Sequence, residues 1–498
     1  MSDRDEVDFA AVLRQRLTAI AGVLGATAEL QAEIADAPLR DVLVSVAGLA
    51  RTIGGSAPSW LLFVAVTGCF PIPDEVEDLR RRLELSRTDI EAAALTMRGT
   101  RTAASQRGVW DKPMRLVTDA MVIDVSFCAQ YEHNTGIQRL VREAMSRWHA
   151  AGRAIEFVAW DHDTIPRSLF PEEVDRVVNW ADPARSRNEY VRTGEAELIV
   201  PVNTTFFVPE VPREPLCAPL EGLAEHSNNR VCAIGYDAIP LVSADLVKQV
   251  ESERFSRYLS FIKYTDRVIG ISAAAAGEFR GFASAVRAQN LKGPVVVEVS
   301  LPVDLPDATP RRGSETELPL VLSVGSHEPR KNQEGILHAA ELLWADGVEF
   351  QLIFVGRGDS GWTVPFDRRL AKLRKAGHHV ESRRTASDQE VSHLYHSALV
   401  TVFPSLHEGY GLPVAESLAA GTPVITTNYG STAEIGAAGG CLLVDPRDDA
   451  SLLAAMRTVL TEPEAVAKLE NQIASRPRRS WDDYALELWN ALEDVSVA

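Results

Sequence analysis

Apolar residues recur at helical spacing through the first part of the chain. Positions three or four apart that would line one helix face are Phe9, Leu13, Leu17, Ile20 and Leu24. Glycines and prolines at 54–58 and 71–73 interrupt this pattern, so several helices are predicted over residues 1–115. The longest apolar run, 60–66, is much shorter than the roughly 20 residues that a membrane-spanning helix needs. It predicts a buried helix or strand, with an interfacial anchor as the alternative.

From residue 116 onward, short apolar runs alternate with amphipathic stretches and loops. Such runs predict buried β-strands. The predicted strands are 120–127, 155–160, 198–202, 230–234, 267–272, 294–299, 318–324, 350–356, 399–403 and 422–427. Strands that alternate with helices are typical of α/β domains with parallel sheets.

The segment around 306–316 is rich in Pro, Asp, Arg, Gly and Ser, which suits a linker. It divides the α/β part of the chain into two halves. The predicted organisation is therefore a helical extension, a first α/β domain, a linker, a second α/β domain and a final helical segment, at 1–115, 116–305, 306–316, 317–475 and 476–498.

One stretch combines two carboxylates with a glycine-rich turn. Residues 408–416 read Glu-Gly-Tyr-Gly-Leu-Pro-Val-Ala-Glu and follow the predicted strand 399–403. Pro413 suits the first turn of a helix. A loop with Gly409 and Gly411 ahead of that helix presents free backbone N–H groups and the positive end of the helix dipole, which together bind anions. Carboxylates beside an anion site suit a ligand with both phosphate and hydroxyl groups, such as a nucleotide sugar.

Two further turns carry candidate ligand contacts. Arg330 and Lys331 follow Gly325 and precede a helix predicted to start near Asn332, so both cations could hold a pyrophosphate from one side. In the first half, a predicted strand, a loop and a helix meet at Gly136, the opening unit of a nucleotide-binding type of α/β domain. Glycine there lets the backbone approach phosphate or acceptor closely.

The two glutamates eight positions apart around Gly-Tyr-Gly-Leu-Pro resemble the signature of the retaining GT-B glycosyltransferases of group 1, the GT4 family. The resemblance extends over about residues 120–490 and is strongest over 318–450. It implies two Rossmann-like domains that face a cleft, with the final helix crossing back to brace the first domain. Residues 135–139, Thr-Gly-Ile-Gln-Arg, are similar to the first loop of members that act on bacterial surface polysaccharides.

The resemblance also implies residue roles. Glu408 would lie against the donor sugar and favour a cationic transition state, and Glu416 would accept hydrogen bonds from the ribose. Arg330 and Lys331, with the amides of 409–412, would neutralise the departing diphosphate. The candidate donor-binding residues are Arg330, Lys331, Gly325, Gly409, Tyr410, Gly411, Leu412, Glu416 and Gly136.

The remaining candidate catalytic residues, besides Glu408, are Tyr236 and Asp237. Residues 235–241 are similar to a family stretch that often reads His-Asp-x-Ile-Pro, and Tyr236 stands where the histidine is common. A phenol titrates near 10 rather than near 6.5, which puts an acid–base role for Tyr236 in question. Asp237 could act in the reaction or only cap and orient its loop.

The resemblance implies no metal and no cofactor, because cations and backbone amides replace the ion that GT-A enzymes hold with Asp-x-Asp. Asp161-His-Asp163 is the competing metal-site pattern, and since nothing else of that class surrounds it, a loop is predicted. The backbone near Arg383 and Arg384 corresponds to the place where the family reads the nucleotide base, which makes these side chains candidates.

Composition limits the classes of partner. The 498 residues carry a net charge of -18, which argues against nucleic acid and against a basic face that binds anionic membranes. The five cysteines have no zinc or redox spacing, and residues 1–6 lack the features of a secretory signal. We therefore expect a cytoplasmic protein with at most peripheral contact at the inner face of the membrane.

The sequence leaves three hypotheses for the function of the protein. The main hypothesis is a metal-independent hexosyltransferase that uses a GDP-, UDP- or dTDP-linked sugar and a glycan, lipid-linked or protein acceptor, in surface polysaccharide or glycoconjugate synthesis. A GT-B epimerase or phosphorylase is a second enzyme class, although no pyridoxal-phosphate lysine setting is visible. The third is a catalytically degenerate scaffold in which 1–115 binds a partner or a second copy of the chain.

Overall fold

A computed structural model of the chain describes residues 9–182, 195–302, 318–477 and 479–494. These residues form a helical region followed by two α/β domains, each built on a largely parallel sheet. The arrangement agrees with the predicted α/β class and helical N-terminal region. The predicted linker at 306–316 lies outside the described residues.

The helical region packs around a helix that is buried on all sides. Its helices are α1 (Phe9–Val23), α2 (Ala28–Asp36), α3 (Leu39–Ile53), α4 (Ser56–Thr67), α5 (Pro73–Leu85) and α6 (Asp89–Arg107). All of residues 59–67 in α4 are buried, so the apolar run 60–66 is a core helix of this region. Among the described residues, no helix combines the length and apolar character needed to cross a bilayer.

The first α/β domain has its strands in the order β1-β5-β4-β3-β2-β6-β7-β8-β9. The strands are β1 (Met114–Val117), β2 (Met121–Asp124), β3 (Ile155–Asp161), β4 (Ile165–Ser168), β5 (Leu198–Pro201), β6 (Thr205–Val208), β7 (Arg230–Gly235), β8 (Arg267–Gly270) and β9 (Val295–Glu298). The helices are α7 (Ser126–Gln130), α8 (Gly136–Ala150), α9 (Pro171–Val178), α10 (Glu214–His226), α11 (Ile239–Val242), α12 (Gln249–Ile262) and α13 (Ala273–Arg287). Only β4 pairs antiparallel among these strands, so the carboxyl ends of the others meet at one edge.

The predicted strand 120–127 is wrong in its second half, because β2 ends at Asp124 and α7 begins at Ser126. Asp124 accepts hydrogen bonds from the Ser126 amide at 3.1 Å and hydroxyl at 2.6 Å. The distant Glu210 accepts from the amides of Phe127 and Cys128 at 2.7 and 2.9 Å. These carboxylates satisfy the free N–H groups at the start of a helix, and one of them comes from another strand's loop.

The second α/β domain is a parallel sheet in the order β12-β11-β10-β13-β14-β15. Its strands are β10 (Leu320–Val324), β11 (Gln351–Val355), β12 (Val380–Arg383), β13 (Val400–Phe403), β14 (Val424–Thr427) and β15 (Cys441–Val444). Its helices are α14 (Gln333–Ala345), α15 (Ser360–Lys375), α16 (Asp388–Ser397), α17 (Leu412–Ala419), α18 (Gly430–Gly436), α19 (Asp449–Thr461) and α20 (Pro463–Ala474). A short 3₁₀ turn, Pro329–Lys331, precedes α14.

The final helix, α21 (Trp481–Glu493), packs on the first α/β domain rather than on the second. The indole N–H of Trp148 donates to the Ala485 carbonyl at 2.8 Å, and the guanidinium of Arg267 donates to the Ala491 carbonyl. The rings of Trp148 and Trp489 meet edge to face at 5.1 Å. The chain therefore returns to the first domain after completing the second.

Candidate functional site

The loop between β13 and α17 lies at the carboxyl edge of the second sheet. Gly411 ends this loop with φ 105°, a left-handed conformation that favours glycine. Pro413 occupies the first turn of α17, which starts at Leu412. The predicted strand, glycine loop and helix are therefore present, and the loop points its backbone toward the first domain.

Glu408 in this loop contacts both candidate cations. Its Oε1 lies 2.5 Å from Lys331 Nζ, and its Oε2 lies 3.0 Å from Arg330 Nη1. The Ser405 hydroxyl also donates to Oε1 at 2.5 Å. The carboxylate and the cations thus meet although Lys331 and Glu408 are 77 positions apart in the chain.

The cations fix the charge state of Glu408. Burial by itself would raise the pKa of this carboxyl, but the charges of Lys331 and Arg330 outweigh burial and hold the pKa below its usual value. Glu408 is therefore an anion at neutral pH. It can balance positive charge but has no proton to donate.

Arg330 has a second carboxylate partner. Its Nε contacts Glu328 Oε2 at 2.8 Å, and its Nη1 donates to the His407 carbonyl at 3.3 Å. Two cations therefore face two carboxylates, and the cluster is close to neutral. A diphosphate at this edge would exchange part of this pairing for its own contacts with the cations.

Gly325 lies in the turn that follows β10, beside the stem of Lys331. A Cβ built on Gly325 would lie 3.8 Å from Lys331 Cδ, and one on Gly356 would lie 2.0 Å from the Gly325 carbonyl oxygen. Both glycines have φ 151°. The turns after β10 and β11 are therefore pressed together at Gly356, which leaves no room for a side chain at that position.

Gly409 brings the two α/β domains into contact. A Cβ at this position would lie only 2.3 Å from the Tyr236 carbonyl oxygen and 3.1 Å from Asp237 Cβ. The Ser272 hydroxyl in the first domain donates to the Gly409 carbonyl at 2.6 Å. The absence of a side chain at Gly409 is what permits this approach across the cleft.

Tyr236 contributes its backbone, not its phenol, to that contact. Its hydroxyl donates to the Pro209 carbonyl at 2.6 Å, and the ring packs in the core of the first domain. Burial raises the pKa of this phenol well above its usual value. The structure therefore does not place Tyr236 as a proton donor or acceptor at the cleft, in contrast to the role considered from the sequence.

Asp237 lies at the same contact, close to the charge of Arg330. Its Oδ1 accepts the Ile239 amide at 3.1 Å, which is the capping role considered above. Burial raises the pKa of Asp237, and the charge of Arg330 opposes this effect. The carboxyl orients the turn into α11 and adds negative potential beside Glu408.

Glu416 has a separate set of partners. The Tyr395 hydroxyl donates to its Oε2 at 3.1 Å, and Arg139 Nη1 of the first domain lies 3.9 Å from its Oε1. Burial raises the pKa of Glu416, against the charge of Arg139. Nearby, a Cβ on Gly136 would lie 2.6 Å from Leu412 Cδ1. The loop before α8 therefore borders the same face of α17.

Tyr410 forms a further bridge between the domains. Its hydroxyl donates to the Leu301 carbonyl at 2.6 Å, and burial raises its pKa to about 12. The side chain therefore holds the loop against the first domain, while only its amide remains as a candidate donor contact.

Sequence reasoning missed the most direct side-chain pair across the cleft. His407 Nε2 lies 2.5 Å from Glu278 Oε1, and its Nδ1 lies 2.8 Å from the Ser243 hydroxyl. Glu434 makes another bridge, since its carboxylate accepts from the amides of Ala273 and Ala274 at 2.9 and 2.7 Å. The position of His407 next to Glu408 was the available signal, but its partners lie in another domain.

Other candidates are engaged in local ion pairs. Asp161 contacts Lys112 at 2.9 Å, and Asp163 pairs with Arg213 in the tight turn between β3 and β4. Arg383 contacts Glu381 at 2.8 Å, and Arg384 contacts Asp367 at 2.5 Å. The structure does not bring the Asp161 and Asp163 carboxylates to the cluster around Glu408.

Known proteins resemble this chain in sequence. Residues 307–476 match the family described as glycosyl transferases group 1. The serotype-specific mannosyltransferase WbdA of Escherichia coli is 27% identical over 334 residues, which cover 62% of this chain and 38% of WbdA. The MMP α-(1→4)-mannosyltransferase of Mycolicibacterium hassiacum is 31% identical over 175 residues, 34% of this chain and 41% of that protein. The chain thus spans less than half the length of these curated relatives.

Solved structures resemble its fold. Sucrose-phosphate synthase from Thermosynechococcus elongatus superposes with a TM-score of 0.51 at 16% identity, over 75% of this chain and 98% of that one. Anabaena HepE, in complex with UDP and glucose, superposes with a TM-score of 0.50 at 11% identity, over 75% and 99% of the two chains. The two facing α/β domains have the GT-B fold.

Proposed function

We propose that this chain, whose residues 307–476 belong to the group 1 glycosyl transferases, moves a hexosyl group from a nucleotide sugar to a glycan. The O-antigen and other mannosyltransferases among its relatives support a place in bacterial surface-polysaccharide synthesis. The same relatives support mannose as the sugar. One of them is named as GDP-mannose-dependent, so GDP-mannose is the first donor to test, ahead of UDP- and dTDP-linked sugars.

One observation carries this proposal. Arg330 and Lys331 contact Glu408 in the loop that leads into α17, and Gly409 presses that loop against the first domain. Cations and oriented N–H groups suit a diphosphate, and a fixed carboxylate anion suits developing positive charge on a sugar ring. A site between two domains admits a donor on one side and an acceptor on the other.

The proposed reaction breaks the bond between C1 of the sugar and the diphosphate oxygen, and the bonding electrons leave with the diphosphate. The acceptor hydroxyl oxygen bonds to C1, and its proton passes to the departing diphosphate. Arg330 and Lys331 offset the negative charge that collects on the leaving group. Because Glu408 is held as an anion, its role is to stabilise the positively charged ring, not to protonate the leaving oxygen.

This assignment needs no metal ion, since the cations of the 3₁₀ turn and the amides of 409–412 supply the positive charge. Retention of the anomeric configuration follows the family resemblance and is part of the proposal. The five cysteines are free thiols, which suits a reducing compartment, and we place the enzyme in the cytoplasm.

The test is transfer by the purified chain. GDP-mannose and a manno-oligosaccharide should yield GDP and an extended glycan, and the coupling constant of the new anomeric proton reports retention or inversion. Glu408→Gln should lower kcat by about two to three orders of magnitude, comparable to the loss of one preorganised electrostatic contact, while GDP still binds. Glu349→Gln, at an exposed glutamate of the same domain, serves as the control.

Release of GDP without a glycan product would favour hydrolysis or epimerisation over transfer. Wild-type turnover in Glu408→Gln would remove the proposed role of Glu408. Absence of turnover with every nucleotide sugar, together with tight nucleotide binding, would favour a binding scaffold.

A further inference from the structure

A cavity of about 1020 Å³ lies between the helical N-terminal region and the first α/β domain. Its walls come from the starts of α1, α5 and α10, the segment after α6, and the turn between β3 and β4. It lies outside the cluster around Glu408. Of the residues considered for the reaction, only Asp161 and Asp163 line it, and both are held in ion pairs with Lys112 and Arg213.

An aromatic side chain lines this cavity in a half-exposed state. Trp110 rests on Gly108, because a Cβ on Gly108 would lie 2.9 Å from Trp110 Cε2. Within the described residues, the indole N–H of Trp110 donates no hydrogen bond. Phe9, on the same wall, is 58% exposed. An indole with an open surface and a free N–H suits a ligand that is apolar on one face and polar at its edges.

The polar wall consists of fixed ion pairs. Arg107 Nη2 contacts both carboxylate oxygens of Glu75 at 2.6 Å. Lys112 contacts Asp161 at 2.9 Å, and Arg213 pairs with Asp163 at the rim. The charges nearly cancel, which argues against a strongly anionic ligand. Paired side chains still offer many donors and acceptors, and such a surface suits the hydroxyl groups of a neutral sugar.

One loop connects the cavity to the reaction cleft. Pro209 accepts the hydroxyl of Tyr236, whose backbone contacts Gly409, while Arg213 at the other end of the loop holds Asp163. Four residue steps separate Pro209 from Arg213, which limits their separation to about 14 Å. The loop leaves β6 at the same sheet edge as the turn after β3. The loop therefore runs from the rim of the cavity toward the part of the first domain that contacts Gly409.

We propose that this cavity binds a distal part of the glycan acceptor, a neutral oligosaccharide whose growing end lies at Glu408. The inference rests on the proposed function for the identity of the ligand, although binding in the cavity can be measured without turnover. It gives the helical N-terminal region a function, because that region supplies Trp110 and one wall of the site. Trp110 is a positioning residue in this scheme, since it contacts the acceptor far from the reacting atoms.

The experiment measures binding of two probes to the full chain without donor, by titration calorimetry. α-Linked mannohexaose should bind at least tenfold more tightly than methyl α-mannoside, because only the longer probe can contact the cavity and the cleft at the same time. Trp110→Ala should weaken mannohexaose binding about tenfold, in line with the value of an aromatic contact, and leave the methyl glycoside unchanged. Trp110→Phe should recover most of the affinity.

A matched control is Trp362→Ala, which removes a half-exposed indole 5.9 Å from Lys248 Nζ, outside the cavity. It should leave mannohexaose binding unchanged. In the transfer assay, Trp110→Ala should raise KM for long acceptors with unchanged kcat. Equal affinity for both probes, or equal loss for both in Trp110→Ala, would overturn the proposal. Failure of transfer with intact, Trp110-dependent binding would count against the proposed function alone.

Discussion

His407 Nε2 lies 2.5 Å from Glu278 Oε1, and this contact joins the loop beside Glu408 to the first α/β domain. The Ser243 hydroxyl meets the other ring nitrogen, and the His407 carbonyl accepts from Arg330. The residue next to Glu408 is thus held from both domains. His407 therefore connects the first domain with Arg330 and with the loop that carries Glu408.

This pair predicts a pH dependence. The hydrogen bond to Glu278 and the charges of Glu278, Asp237 and Glu408 raise the pKa of His407, against the effect of burial. A raised pKa means that the protonated imidazole stabilises the fold fully below the usual value of 6.5 and that this contribution is lost as pH rises through the raised value.

The measurement is the Tm of wild type and of His407→Gln at about pH 6 and about pH 9. The difference between the two proteins should be larger at the lower pH. His338→Gln, at a partly exposed histidine in α14, should show no such trend. A Tm difference that grows with pH would contradict the assignment.

Lys331→Met should weaken binding of a nucleoside diphosphate about tenfold to a hundredfold. The substitution keeps the buried stem but removes the ammonium group, and a hydrogen bond to a charged group contributes about 1.5–3 kcal/mol. Calorimetric titration with GDP measures the effect. Lys372→Met, at an exposed lysine of α15, is the matched control, and unchanged GDP affinity in Lys331→Met would remove Lys331 from the donor site.

Gly409→Ala should lower turnover more than it lowers donor binding. The new methyl group would meet the Tyr236 carbonyl oxygen at 2.3 Å, so the domains must separate. Such overpacking costs about 1–3 kcal/mol. The readout is the ratio of kcat in Gly409→Ala to kcat in the wild type. Gly281→Ala is the control, because a Cβ there meets nothing within 4 Å; equal turnover in both variants would show that this contact is not needed.

Treatment with a chelator should leave turnover unchanged. The positive charge at the proposed diphosphate site comes from side chains and amides, and the Asp161 and Asp163 carboxylates are paired with Lys112 and Arg213. The initial rate before and after EDTA is the measurement. Loss of activity that manganese restores would instead favour a metal-assisted reaction.

The local pattern of apolar and polar residues was sufficient to predict most of the strands. The run 399–403 and the glycine turn after it were predictable, because apolar runs bounded by glycine and proline have few alternatives. The strands β1, β4, β6, β12 and β15 were not predicted. Pro166 and Arg167 interrupt the apolar pattern of β4, and β6 is a short run that begins after a polar turn. The helix that follows β2 is capped by Asp124 and also by Glu210, and no local pattern around residue 124 could indicate the contribution of Glu210.

The sequence by itself determined which chemical groups stand at strand ends, because the order of strand, loop and helix is a local property. It placed Arg330, Lys331 and Glu408 at such ends and Glu416 in the helix that follows. Only the tertiary structure decided their partners: Lys331 and Arg330 with Glu408, Tyr395 and Arg139 with Glu416, and the Tyr236 phenol inside the core. The physical reason is that side-chain direction follows from how two sheets and their loops pack against each other. That packing couples residues more than a hundred positions apart, as His407 and Glu278 are.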